Sequence, residues 1–185
     1  MRLMWLVVGL GVMVLAASGV AHSTRSLPSS QIQPALDAWV GTWTGTMQLH
    51  GSPGQPHQTV DITFSMERLP EAPGYTWVMT YHSEQHPMTK DYRLLPDAAD
   101  STRWNLDEQN GIVLPSRLTD GVLYSLFGVG DTLLTSRQEL VGDELRFEVT
   151  SNVPMAEAAE NAAGVVTYRV GAVQSVKMKK KATEN

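Results

Sequence analysis

Apolar residues return at every second position through most of this chain, and a period of two is the mark of a half-buried β-strand. It is cleanest in Thr59 to Met66, where Val60, Ile62, Phe64 and Met66 alternate with Thr59, Asp61, Thr63 and Ser65. Gly41 to Leu49 repeats it, with Trp43, Met47 and Leu49 against Thr42, Thr44, Thr46 and Gln48. In Tyr75 to Tyr81 the residues Tyr75, Trp77, Met79 and Tyr81 share one phase. A fourth strand is expected over Lys90 to Leu95. Arg103 to Asp107 and Ile112 to Leu114 flank Asn110-Gly111, a dipeptide that accepts the positive φ of a tight hairpin turn. Val122 to Val129 is apolar in both phases, which predicts a strand buried on both faces. Thr132 to Leu140 and Glu144 to Thr150 meet at Gly142-Asp143, a second hairpin signal. Val165 to Met178 reads as one long strand or as two bent at Gly171.

Nine or ten short strands joined by turns, with no long helical pattern between them, predict an all-β fold: an up-and-down antiparallel barrel of about eight to ten strands. Closing the sheet removes the edges that would otherwise pair with other chains. Helix is expected only briefly, in a turn over Pro34 to Trp39 with Leu36, Trp39 and Val40 on its apolar side, and in the alanine-rich Met155 to Ala163. The second of these reads as a surface helix or mobile loop, with a lid over a barrel mouth as the alternative.

Ahead of the strands, Arg2 precedes the apolar run Leu3 to Ala17 and the small residues Ser18, Gly19, Val20 and Ala21, the order of a secretory signal peptide. The run is shorter than the ~20 residues of a bilayer-spanning helix, so cleavage ahead of His22, or earlier among Ala16, Ala17 and Ser18, and no stable membrane anchor afterwards are expected. That places the protein in the periplasm or outside the cell. The expected organisation is a signal over 1–21, an extended leader rich in Ser, Gln and Pro over 22–34, one barrel domain over 35–180 and a tail over 181–185. Taking away the 21 signal residues from 185 leaves 164, with 13 basic and 19 acidic side chains. A net charge of that sign repels phosphate backbones, so no nucleic acid partner is expected. The chain contains no cysteine. Packing and the sheet ladder alone must hold it, and neither a disulfide nor a cysteine-linked lipid is available.

Gly41-Thr42-Trp43, at the start of the first strand and just after a short helical turn, resembles the lipocalins and the wider group of calycin-like barrels. The resemblance implies that Trp43 plugs a closed barrel end and packs against a basic residue from a late strand; Arg169 and Arg137 are the candidates for that part. Two departures matter. Thr119-Asp120 is followed by Gly121 where the lipocalin Thr-Asp-Tyr element would have tyrosine. Gly41, Trp43 and Gly45 resemble the Gly-x-Trp-x-Gly-x-Gly of a haem-binding branch until Met47, and no histidine follows His86 to serve as that branch's late axial ligand.

Chemistry is sparse. His82, Glu84 and His86 alternate on one extended segment, where three ligands could converge on zinc, but loop residues beside Pro87 are the simpler reading and no metal is expected. Asp107 and Glu108 are adjacent and would point to opposite faces of a strand, which makes a poor acid/base pair. Nucleophile elbows, phosphate-binding glycine loops and dinucleotide fingerprints are absent. No cofactor and no catalytic residue are assigned. What recurs is an apolar strand phase rich in aromatics: Trp43, Phe64, Trp77, Met79, Tyr81, Tyr124, Phe147 and Tyr168, with Tyr92 and Arg137 as polar groups that would orient a ligand. A barrel of eight or more strands has room for one small ligand unless its own side chains fill it. The expected function is therefore noncovalent binding of a small apolar or amphipathic molecule. A structural or accessory envelope protein working through its outer surface is the alternative, and an enzyme stands last.

Overall fold

The computed structural model describes residues 33–51, 57–155 and 166–182, with 33 and 34 described for backbone only. One short helix, α1 (Gln33–Asp37), leads into ten strands: β1 (Gly41–His50), β2 (Gln58–Met66), β3 (Tyr75–His82), β4 (Met88–Pro96), β5 (Arg103–Asp107), β6 (Val113–Thr119), β7 (Val122–Val129), β8 (Thr132–Val141), β9 (Glu144–Pro154) and β10 (Tyr168–Lys180). Each strand pairs antiparallel with its sequence neighbours, and β10 returns to β1 to close the ring. The fold is the expected up-and-down antiparallel barrel at the upper end of the expected strand count. The expected signal, nearly all of the leader, the end of the tail and most of the alanine-rich segment lie outside the described residues.

Turn chemistry sets the meander. Asp120 (φ 51°) and Gly121 (φ 77°) both take the left-handed conformation between β6 and β7, as an Asp-Gly hairpin turn requires. Gly142 does the same at 62° between β8 and β9. Between β5 and β6 the turn is wider than Asn110-Gly111 implies: Gln109 (φ 58°) and Gly111 (φ 95°) carry the positive angles, and Glu108 N donates to Ile112 O at 3.0 Å. β6 runs on through Pro115 to Thr119, beyond the expected end at Leu114.

Burial follows the pleat. Val60, Ile62, Phe64 and Met66 of β2 and Tyr75, Trp77, Met79 and Tyr81 of β3 are all buried inside. β7 corrects the expectation of two buried faces: Leu123 and Ser125 are buried, whereas Tyr124 and Leu126 are 45% and 60% exposed. The chain forms a single sheet, so one face of every strand meets solvent whatever its composition. Gly171 lies where the β9–β10 register shifts between Val170 and Ala172, so β10 is one strand with a bulge rather than two strands.

The interior is graded along its length. At the α1 end Leu36, Trp39, Trp43, Met66, Tyr75, Leu94, Leu145 and Met178 are 0–2% exposed, a packed plug. Toward the other end the inward phase continues through Val149, Gln174, Ser136, Phe127 and Val129, which are only half-buried. The loosening is one-sided, since Val60 and Tyr81 at the same end of β2 and β3 stay buried, and it leaves a shallow cup walled by β7 to β10.

Candidate functional site

The floor of the cup is built by contacts that cross the barrel. Trp77 of β3 donates its indole N–H to Gln138 Oε1 of β8 at 3.0 Å. Its ring also stands edge-on to Phe147 of β9 (centroids 6.0 Å apart) and to Phe64 of β2 (5.2 Å), and it stacks on Tyr92 of β4 at 5.7 Å and 16°. Aromatic groups from four strands therefore meet at one level, and edge-on and offset stacking are their favoured geometries.

Gln138 is 2% exposed, and its amide is oriented without ambiguity. An indole N–H can only donate, so the carbonyl must face Trp77 and the NH₂ must point away. That Nε2 has no hydrogen-bond partner among the described residues. Nearby on the inward phase, Ser116 and Ser125 bond each other at 2.7 Å. Trp104 Nε1 is also buried and unpartnered, but Trp104 packs on Tyr75 toward the plugged end.

Going from the floor toward the mouth along β4, Tyr92 is followed by Lys90, which is half-buried and opposite Met79. Lys90 Nζ lies 5.8 Å from the centroid of the Tyr81 ring. Desolvation lowers its pKa, partly opposed by the charge of Glu108. Glu108 lies beyond the end of β5 and is itself engaged. It receives Asn110 Nδ2 at 3.3 Å, and the pKa of the Tyr92 hydroxyl is raised by burial first and then by Glu108. Burial alone pushes Tyr81 up to about 12.

Of the residues named from sequence, Trp43, Phe64, Trp77, Met79, Tyr81, Tyr92 and Phe147 face inward. Trp43 belongs to the plug: its Nε1 donates to Trp39 O at 2.7 Å. Four expectations are corrected. Tyr124 and Arg137 are cross-strand partners on the outer face, where Arg137 is ion-paired to Glu139 at 2.6 Å. Arg137 lines an external cleft of about 520 Å³ with Arg146, Glu148 and Lys177, outside the barrel. Tyr168, before the Gly171 bulge, is 46% exposed. The basic group over Trp43 is neither Arg169 nor Arg137 but Lys180, with Nζ 5.3 Å from the indole centroid.

The residues missed from sequence are Gln138 and Lys90, while Glu108 was named there only as half of a poor acid/base pair. Gln138 and Lys90 share strand phase with Leu140 and Tyr92, which was the available signal. Around the His82, Glu84 and His86 segment, His82 Nε2 bonds the Thr63 hydroxyl at 2.7 Å, and no group of three or more potential metal ligands occurs among the described residues.

No protein-family model and no curated protein sequence matches the chain. Solved structures do. An S-type phycobiliprotein lyase, CPES, from Guillardia theta superposes with TM-score 0.59 at 9% identity, covering 83% of this chain and 94% of that one. A protein of unknown function from the DUF3598 family of Nostoc punctiforme gives TM-score 0.54 at 15% identity over 85% of this chain, which spans only 51% of that longer chain. At such identities the likeness is one of fold, and the chain shares with these proteins a closed antiparallel β-barrel.

Proposed function

We propose that this protein is exported and binds one small apolar or amphipathic molecule noncovalently in the open half of its barrel. The observation that carries the reading is Gln138, whose buried Nε2 has no protein partner beside the aromatic floor of Phe64, Trp77, Tyr92 and Phe147. A buried unsatisfied donor costs about 1–3 kcal/mol, which an acceptor on a bound molecule would relieve. Cavities that hold small molecules have this composition, with mostly apolar walls and a few placed polar groups. Export rests on the order of residues 2–21, and the lipocalin resemblance of Gly41-Thr42-Trp43 supports the same reading. The barrel shared with a phycobiliprotein lyase is compatible with it.

Delipidated protein titrated with a neutral apolar fluorophore such as N-phenyl-1-naphthylamine tests the site. Saturable binding at one equivalent, weakened by Trp77→Ala, is expected; linear, non-saturating fluorescence would end the proposal. One observation favours the accessory reading: Val153, Met155, Val166, Tyr168 and Val170 are all exposed around the open end of β9 and β10. Cross-linking in the envelope that captures one partner through this end, with an empty cup, would decide for it.

A further inference from the structure

Lys90 is the side chain that the ligand-binding reading leaves without a task. Four observations bear on it. It lies on the inward phase of β4, as shown by its pairing with the fully buried Met79. Among the described residues no carboxylate lies within ion-pair distance of it, although seven ion pairs form elsewhere among them. Its ammonium sits over the Tyr81 ring. The acid nearest in effect, Glu108, makes no ion pair with it and receives Asn110 Nδ2 instead. A half-buried cation pointing into an apolar cup is costly unless something of opposite charge meets it.

Resting on the proposed function, we infer that Lys90 is the headgroup anchor of the site and that the natural ligand is an apolar molecule ending in a carboxylate. The apolar body would lie on the Trp77–Tyr92–Phe147 floor, and the carboxylate would meet Lys90 Nζ near the mouth. Tyr81, Tyr92 and Glu108 are the other titratable groups around that position. Tyr81 and Tyr92 stay neutral near pH 7, since burial raises both. Glu108 carries the charge that a bound acid must tolerate.

The test compares cis-parinaric acid with its methyl ester, two probes with the same polyene body. A charge-assisted hydrogen bond in a desolvated site predicts that wild type binds the acid about tenfold more tightly than the ester. Lys90→Met should collapse that ratio toward unity, Lys90→Arg should keep it, and Glu108→Gln should widen it by removing the repelling charge. Equal affinity of wild type for acid and ester, or a preference that survives Lys90→Met, overturns the anchor while leaving the cup intact. Binding of neither probe overturns the cup and the anchor together. The wild-type comparison and the arginine variant keep the inference exposed to failure even if Lys90→Met does not fold.

Discussion

Two buried tyrosines give the barrel a dependence on high pH. Burial, followed by the hydrogen bond its hydroxyl donates to Asp37 at 2.8 Å, pushes Tyr75 up to about 12, and burial does the same to Tyr81. An unfolded tyrosine loses its proton near pH 10. The folded state therefore keeps both phenols neutral after the unfolded chain has begun to ionise them. Their contribution to stability is complete below about pH 10 and is lost as pH climbs toward 12. Urea midpoints should fall across that interval, and Tyr75→Phe and Tyr81→Phe should each flatten the fall. A midpoint constant from pH 9 to pH 12 would contradict the assignment. The same scale shows why Gln138 escapes a reading of sequence alone. Strand phase places it with Leu134 and Leu140, but only the folded barrel brings Trp77 from 61 positions away onto its carbonyl.

β1 and β10 together make the closing seam, and Gly45 is its tightest point. Their register runs through Trp43↔Lys180 and Thr44↔Lys179 and resumes at Gln48↔Ser175, and between these a Cβ on Gly45 would collide with the Lys177 carbonyl. The obstacle is backbone, so it cannot swing aside as a side chain would. Gly45→Ala is expected to cost about 1–3 kcal/mol, the range for forced overpacking, read as a lower urea midpoint. Hydrogen exchange should quicken first in β1 and β10, and an alanine variant as stable as wild type would show that the seam has slack. Strand by strand, β2, β3 and β5 were legible because their alternation is strict. Tyr168 has the same parity as Met178, but the register slips at Gly171 between them, so the parity no longer carries it inward. Tyr124 was misplaced because β7 is apolar on both sides, so phase carries no information there. Lys90 was legible in phase beside Tyr92, but a lysine on an inward position runs against the composition that marks a core.

Across the whole molecule, burial falls from the α1 end to the mouth along β7 to β10, and resistance to opening should follow it there. Amides near Trp43, Met66, Leu94 and Met178 should exchange most slowly and those near Val129, Ser136 and Gln174 fastest. Bound ligand should slow the second group and leave the first nearly unchanged. Uniform protection along the barrel would contradict the graded interior. That the sheet closes follows from strand number and turn spacing. How far its interior is filled depends on which side chains meet across it, and no local pattern encodes that.

The pairing of the first strand with the last also means that Trp43 and Lys180 stand opposite each other at the plugged end, with Lys181 N donating to Thr42 O at 2.7 Å. In connectivity terms the barrel is a ring whose opening between β10 and β1 is set by the order of synthesis. A linker from the end of β10 to the start of α1, which keeps Leu36 and Trp39 in the plug, with a new break in the exposed Ala98–Ala99 turn, would give a chain of different beginning and the same neighbours throughout.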